Sequence, residues 1–301
     1  MMLRRLITTA VLALLVPALF ASGPCSVPVP ASAGKGTAAC IPLRGLSRTE
    51  LPFGGGELQS FVIHYKWGII NADVASATLS LEESVLNGEP VFAARIFGQN
   101  ARKFDPVFKM REDFRSWFSA DSLAPRRFTR DTREGNYYSV NDYAFDRTAG
   151  VIRAELDSRR RGPRTMDLPL TDCTFDVVSL FYYARNLDFS AVQAGRKYPL
   201  TFAVDDDICN IFFIYKGIET LNIKGVGKVR TRRFTVRLAS GEVFGDDAEA
   251  AGDMWFTDDD NRLLVWFDTP IKVGHVYGRI TGWDGLKHPF GALVEPSDQR
   301  R

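Results

Sequence analysis

The sequence predicts a mainly β protein: one large antiparallel sheet of about a dozen strands, curled or closed into an open barrel, with one buried apolar helix at about residues 174–186. Three observations carry this. Most segments alternate apolar and polar side chains with a period of two. Turn-forming residues separate them at short, regular intervals, as in sandwiches and barrels. A single stretch, Cys173 to Asn186 (CTFDVVSLFYYARN), reads clearly as a helix. There is no self-similarity at a period of 20–50 residues, which argues against a repeat architecture.

Within the helical stretch Thr174 can serve as N-cap. Asp176 in the first turn suits the positive end of the helix dipole and Arg185 the negative end. Between them Ser179 is the only small polar residue among Val177, Val178, Leu180, Phe181, Tyr182, Tyr183 and Ala184. A helix apolar all round is buried on most sides, and this one is too short to span a bilayer, which takes about 20 apolar residues. Asp176, Ser179, Phe181, Tyr182, Tyr183 and Arg185, with Trp67 from the first strand, are candidates for lining a ligand pocket. The competing reading makes the polar ones anchors of a core helix, the commoner fate of buried polar groups.

Taken in order, the chain of 301 residues opens on a secretory signal over residues 1–33. Arg4 and Arg5 form its basic region, Leu6 to Phe20 its apolar region, and Ala31-Ser32-Ala33 a cleavage site, with a cut after Ala21 as the alternative. Export to the periplasm or the periphery of an outer membrane follows. Cys25 invites comparison with a lipid anchor, but Pro24 departs from the small residue a lipobox requires, which argues against one. Removal of residues 1–33 takes two arginines and no acid, leaving 36 basic against 36 acidic residues. That balance argues against a nucleic-acid partner, and the mature chain offers no apolar run long enough for a transmembrane span. Residues 34–55, rich in Gly, Ala, Pro and Ser, read as a flexible leader. One β-rich domain covers 56–295, and 296–301 form a polar tail.

In that domain Phe61, Ile63, Tyr65 and Trp67 form the aromatic face of a strand. Asn71 to Glu83 follows with a face of small residues that lets something bulky approach. Asn87-Gly88 is a hairpin turn leading into Val91 to Phe97. Asp113 to Ser119, Arg126 to Thr132, Tyr137 to Phe145 and Val151 to Leu156 continue the series. Arg159 to Arg164 is a basic loop, read as solvated. After the helix come Lys197 to Val204, Ile211 to Tyr215, Leu221 to Ile223, Val229 to Leu238, Asp253 to Phe256, Arg262 to Asp268 and Val276 to Trp283.

No HExxH, GxSxG or glycine-rich phosphate loop is present, so no cofactor and no catalytic residue is assigned. The acidic runs Asp205-Asp206-Asp207 and Asp258-Asp259-Asp260 are weak calcium candidates, since they lack EF-hand spacing and Asp is an ordinary turn former. Cys173 and Cys209 both flank structured elements, and an oxidising compartment permits a disulfide between them. Two separate buried thiols are the alternative, because connectivity is not written in sequence.

Four segments occur in a recognisable order: GELQSFVIHYKWGIINADVASATLS from Gly56, RKFDPVFKMREDFRSWFSADSLAPRRFTRDTREGNYYSVNDYAFD from Arg102, CTFDVVSLFYYARNLDF, and GDMWFTDDDNRLLVWFDTPIKVGHVYGRI. Together they resemble the exported bacterial family known as domain of unknown function 3108, in its Bacteroidetes-type branch, over Gly56 to Pro289. The resemblance implies an exported, mostly β protein and brings no established activity. The chain departs from the family where a glycine-lysine-glutamate turn is expected after Tyr215, carrying Lys216-Gly217-Ile218-Glu219 instead. It also lacks a cysteine near Phe234 that relatives carry, which weakens any disulfide inferred from the family and leaves Cys209 as a local substitute.

Three functions compete. A binding module for an apolar or amphipathic ligand, lipid or another envelope component, requires an apolar pocket of about 300–1,000 Å3 at Trp67, Phe181 and Tyr182. An envelope assembly or structural factor would act through protein contacts. A cell-envelope hydrolase would bring polar groups such as His64, Asp113, Glu134 and Asp176 into one cleft. The binding module ranks first.

Overall fold

The computed structural model describes residues 40–106, 109–238, 250–270 and 274–297. The signal-like segment, Cys25, the start of the leader and the last residues of the tail lie outside the described residues.

Among the described residues the sheet has sixteen strands rather than about a dozen. β1 (Glu57–Trp67), β2 (Ile70–Leu86), β3 (Glu89–Asn100), β4 (Met110–Ser119), β5 (Pro125–Glu134), β6 (Tyr137–Asp146), β7 (Val151–Ser158) and β8 (Arg164–Pro169) form an antiparallel meander. The chain then crosses through the short β9 (Thr174–Phe175) and helix α1 (Val177–Arg185). It returns as a second meander: β10 (Lys197–Val204), β11 (Asp207–Ile223), β12 (Gly227–Leu238), β13 (Ala250–Thr257), β14 (Leu264–Pro270) and β15 (His275–Asp284). Pairing of β15 with β1 joins the two halves, and β16 (Leu293–Pro296) adds to β12. β8 and β9 remain as edges, so the sheet is curled but not closed.

Strands missed in the sequence are the short edge pieces. β8 buries only Leu168, and all four residues of β16 are exposed, so neither displays an alternating apolar face. In the other direction, two expected strands are one. β11 runs unbroken from Asp207 to Ile223, and Lys216-Gly217 makes a bulge opposite β12 instead of a turn, with Gly217 at φ +112°. Asn87 and Gly88, at φ +52° and +83°, do make the two-residue hairpin turn that twists correctly between β2 and β3.

The inner face of β1 buries Phe61, Ile63 and Tyr65, whereas Trp67 at the hairpin end is 40% exposed. α1 packs chiefly on β3 and β4 of one meander and β10 of the other, and so fills the trough between the two walls. Tyr182 meets Phe53 and Phe118 with ring centroids 5.0 and 5.3 Å apart, while Phe181 reaches Phe256 at 5.9 Å. Each such buried aromatic contributes roughly 1.5–3 kcal/mol. The small residues of β2 therefore do not receive the helix; its main seats are β3, β4 and β10.

The described part of the leader, from Cys40 onward, is not loose. Ile41, Leu51 and Phe53 are buried in the core. Cys40 is bonded to Cys173 with a Cα–Cα distance of 5.3 Å, tying the segment to the start of the helical region. The pairing of Cys173 with Cys209 is thereby corrected: Cys209 is buried in β11, and Cys173 takes the cysteine that the ordered leader brings to it. Closing a loop of 133 residues is worth about 4–5 kcal/mol in the chain-entropy picture.

Candidate functional site

The polar residues of α1 are engaged by the protein itself. Asp176, not Thr174, is the N-cap: its carboxylate accepts from the backbone N–H groups of Val178 and Ser179, both at 2.8 Å. Ser179 completes a capping box by accepting from the Asp176 N–H. Ser116 of β4 donates to the other Asp176 oxygen at 2.7 Å. Burial raises the Asp176 carboxyl to about 6 despite these donors. Thr174 meanwhile joins the parallel pairing of β9 with β10 and shares a hydrogen bond with Thr201.

At the other end Arg185 is fully buried and forks onto Glu57 at 2.5 and 2.9 Å, with further bonds to the carbonyls of Asn261 and Arg262. The Tyr183 hydroxyl clamps the ordered leader, accepting from the Ile41 N–H and donating to the Ile41 carbonyl. The Tyr182 hydroxyl is buried without a partner among the described residues. Phe181 and Tyr182 are core side chains, and Trp67 stands at the far end of β1 from Glu57. These three therefore do not meet around a pocket. Between α1 and the inner face of β4 and β5, the space beside Phe114, Phe128 and Val177 is about 10 Å3, roughly the room for one water.

Two other places gather charged groups. The first lies on the inner face of β4 to β6. Arg130 donates to Thr132, which donates to Glu112 at 2.6 Å. Glu112 and Glu134 each keep one buried oxygen without a donor among the described residues. Burial pushes Glu134 up to about 8, reinforced by the neighbouring Glu112, and burial also raises Glu112. The two acids are close neighbours, and each disfavours a second negative charge beside it. Above them the β10–β11 turn inserts Asp205, at φ +49°, between Arg130, Ser139 and Asn141, while Tyr143 donates to its carbonyl. The basic loop read as solvated supplies Arg161 and Arg164 to Asp206. A polar crevice of about 120 Å3 is left at this clasp.

The second place is an open cleft of about 560 Å3 beside the C-terminal end of α1, lined by Arg44, Arg232, Arg262, His288 and the Asp258–Asp260 run. The turn that builds it is held by Asp259. One carboxylate oxygen accepts from the Thr257 hydroxyl and the N–H groups of Asn261 and Arg262; the other accepts from the N–H groups of Gly291 and Ala292. The Asn261 side chain fastens the same turn to His288 and Pro289. Arg262 takes φ +48°, a left-handed conformation rare for a non-glycine residue. Its guanidinium donates to the carbonyls of Arg185 and Leu187, closing off the helix, and lies 4.4 Å from the Phe189 ring centre. Arg232 lies 4.6 Å from the same ring. Burial, with Arg44 and Arg232 nearby, lowers Arg262 to about 10.

The weak metal candidates Asp258, Asp259 and Asp260 are all engaged by the protein's own donors. Asp258 accepts from Arg230 and Arg232, Asp259 from five protein donors, and Asp260 faces Arg44 at 3.5 Å. Among the described residues no three His, Cys, Asp or Glu side chains converge as metal ligands. The hydrolase candidates are dispersed. His64 bonds Asn71 and Asp73 and stacks on the half-buried Tyr277, Asp113 is paired with Arg95 and Arg115, Asp176 caps the helix, and Glu134 sits in the acid pair. Sequence reading did not single out Arg44, Arg232 or Arg262. They lie on three segments far apart in the chain, and no spacing joins them; the one local hint was an arginine closing an Asp/Asn turn.

Fold and site together define an open, barrel-like antiparallel β protein with a plugged trough and a polar cleft at the end of its plug helix. The chain belongs to the family described as protein of unknown function (DUF3108), which it matches over residues 60–281. No curated protein matches it. It is similar to the crystal structure of a beta-barrel-like protein of domain of unknown function DUF1849 from Brucella abortus, with 12% identity, a TM-score of 0.52, and coverage of 77% of this chain and 98% of that one. A likeness at that identity concerns the fold alone. A putative lipoprotein from Parabacteroides distasonis ATCC 8503 aligns at 10% identity and a TM-score of 0.33 over 78% of this chain and 99% of that one. Among the described residues no helix is long and apolar enough to cross a membrane.

Proposed function

We propose that the protein is an extracytoplasmic binding module whose ligand enters the cleft at the C-terminal end of α1. The observation that carries this reading is the cleft itself: about 560 Å3, within the range of small-molecule sites, with Arg262 held in it by a left-handed turn. The pocket expected for an apolar ligand at α1 is occupied by the aromatic core, so an amphipathic envelope component would present its polar end here. The Cys40–Cys173 disulfide supports an oxidising compartment. The signal-like residues 1–33 are consistent with export, and the four motif segments with the Bacteroidetes-type branch of the family.

The test is native mass spectrometry of the protein purified without detergent from an exporting host. An adduct that is kept by Tyr182→Phe and lost from Arg44→Glu supports the reading. A bare polypeptide mass, or an adduct that Tyr182→Phe removes and Arg44→Glu keeps, overturns it.

A further inference from the structure

We infer that the group seated in this cleft is a phosphate-type oxyanion, held by Arg262 and Arg44 with Arg232 behind them. The inference rests on the reading of the cleft as the ligand site. The carboxylates around the cleft are each engaged already. Asp258 is taken by two arginines, Arg230 and Arg232. Asp259 spends both oxygens on five donors of its own turn and of the segment after Pro289. Asp260 faces Arg44 at 3.5 Å, with both side chains about half-exposed or more. Asp188, outside the cleft lining, accepts from the backbone and hydroxyl of Ser190.

Arg262 is left without an ion pair among the described residues. It is 9% exposed and rests on two backbone carbonyls and the Phe189 face. Arg44 and Arg232 stand near enough to disfavour its charge, and Asp188 and Asp260 near enough to favour it. Arg232 and Arg44 each have a carboxylate in the cleft, Asp258 and Asp260, which leaves the charge of Arg262 uncompensated there. An oxyanion resolves it, because the planar guanidinium fork matches phosphate oxygens two at a time. Phe189 adds direction: two guanidiniums lie within 4.6 Å of one ring, which restrains how they can turn. A left-handed Arg262 is the kind of backbone cost that persists where the surroundings hold a side chain for a purpose.

The experiment uses the disulfide-bonded exported chain and inorganic phosphate at constant ionic strength, read as a thermal-stability titration. Wild type is expected to show a saturable rise in melting temperature. Arg262→Gln is expected to weaken the apparent affinity at least tenfold. Arg262 also closes the helix, so Arg44→Glu, at a half-exposed side chain, serves as the variant whose folding is not in question; it should weaken binding by a similar factor. Arg161→Gln, at the basic loop, should leave it unchanged. Two vesicle arms separate the sources of the phosphate. Capture on phosphatidylglycerol vesicles but not on phosphatidylcholine, competed by free phosphate and lost in Arg44→Glu, assigns a lipid headgroup. Phosphate binding without capture assigns a soluble phosphate compound. Equal phosphate titrations in wild type and Arg44→Glu, or no titration in wild type, overturn the inference. If the native adduct is nevertheless present, sensitive to Arg44→Glu and uncharged, the binding-module reading stands without the anion; if there is no adduct either, both fall.

Discussion

Replacing Arg185 by Met separates two accounts of the central helix. If Arg185 is a ligand-pocket residue, its loss should leave stability nearly unchanged. If it is a core anchor, the cost is large and can be worked from its contacts. Both partners are buried, with side-chain exposures of 0% for Arg185 and 1% for Glu57. Without the guanidinium, Glu57 keeps one side-chain donor, Gln59 at 2.7 Å, and the carbonyls of Asn261 and Arg262 lose theirs. Removing one partner of a buried pair costs about 3–5 kcal/mol, since the other charge stays behind uncompensated. For a domain of this size that corresponds to a melting temperature lower by roughly 6–20 °C. Glu57→Gln alone should cost a comparable amount. The double variant Arg185→Met, Glu57→Gln should recover part of it, because no charge is then stranded. Urea unfolding followed by tryptophan fluorescence gives the three values. A loss under about 1 kcal/mol for Arg185→Met, or strict additivity in the double variant, would refute the reasoning.

Three further outcomes follow from the same contacts. Glu134 holds a proton in the folded chain up to about pH 8, against an ordinary 4.5, so its stabilising contribution is complete below the lower value and falls as pH rises through the higher one. Asp176, raised to about 6, adds its own decline at lower pH. Between pH 6.5 and 8 wild type should therefore lose about 1.5 kcal/mol that Glu134→Gln does not lose; parallel urea midpoints for the two proteins across that window would contradict the acid pair. Tyr182→Phe removes a buried hydroxyl without a partner among the described residues and should match wild-type stability or exceed it by up to about 1–2 kcal/mol; a loss above 1 kcal/mol would mean that the hydroxyl has a partner. Asp176→Ala strips the cap from α1 and strands the Ser116 hydroxyl, for a cost of about 2–3 kcal/mol; calorimetry showing a smaller loss than a typical surface-helix cap would detach the helix from the wall at β4.

The alternation of Phe61, Ile63 and Tyr65, the Asn87-Gly88 turn and the apolar run after Asp176 made strands, hairpin and buried helix legible, because period and turn chemistry are local properties. The edge strands β8 and β16 were not legible, since an exposed edge need not alternate. Lys216-Gly217 misled for a related reason: a glycine at positive φ serves a bulge as well as a turn. The Cys40–Cys173 bond depends on Ile41, Leu51 and Phe53 ordering a segment whose composition reads as linker. Asp176, Tyr183 and Arg185 were visible as polar groups on a buried helix, but their partners (Ser116, Ile41 and Glu57) lie 60 to 142 residues away. The cleft was hidden for the same reason, being assembled by tertiary closure from Arg44, Arg232 and Arg262.

The measurement that most directly tests the cleft as the ligand site is an arginine-reactivity footprint. The exported protein is labelled with a phenylglyoxal reagent, with and without its co-purified ligand or saturating inorganic phosphate, and the modified peptides are quantified by mass spectrometry. The account predicts that ligand suppresses labelling at Arg44, Arg232 and Arg262, leaves Arg159 and Arg161 unchanged, and finds Arg185 unreactive in both states. Protection centred on the Arg159–Arg164 loop, or no protection anywhere, would contradict it.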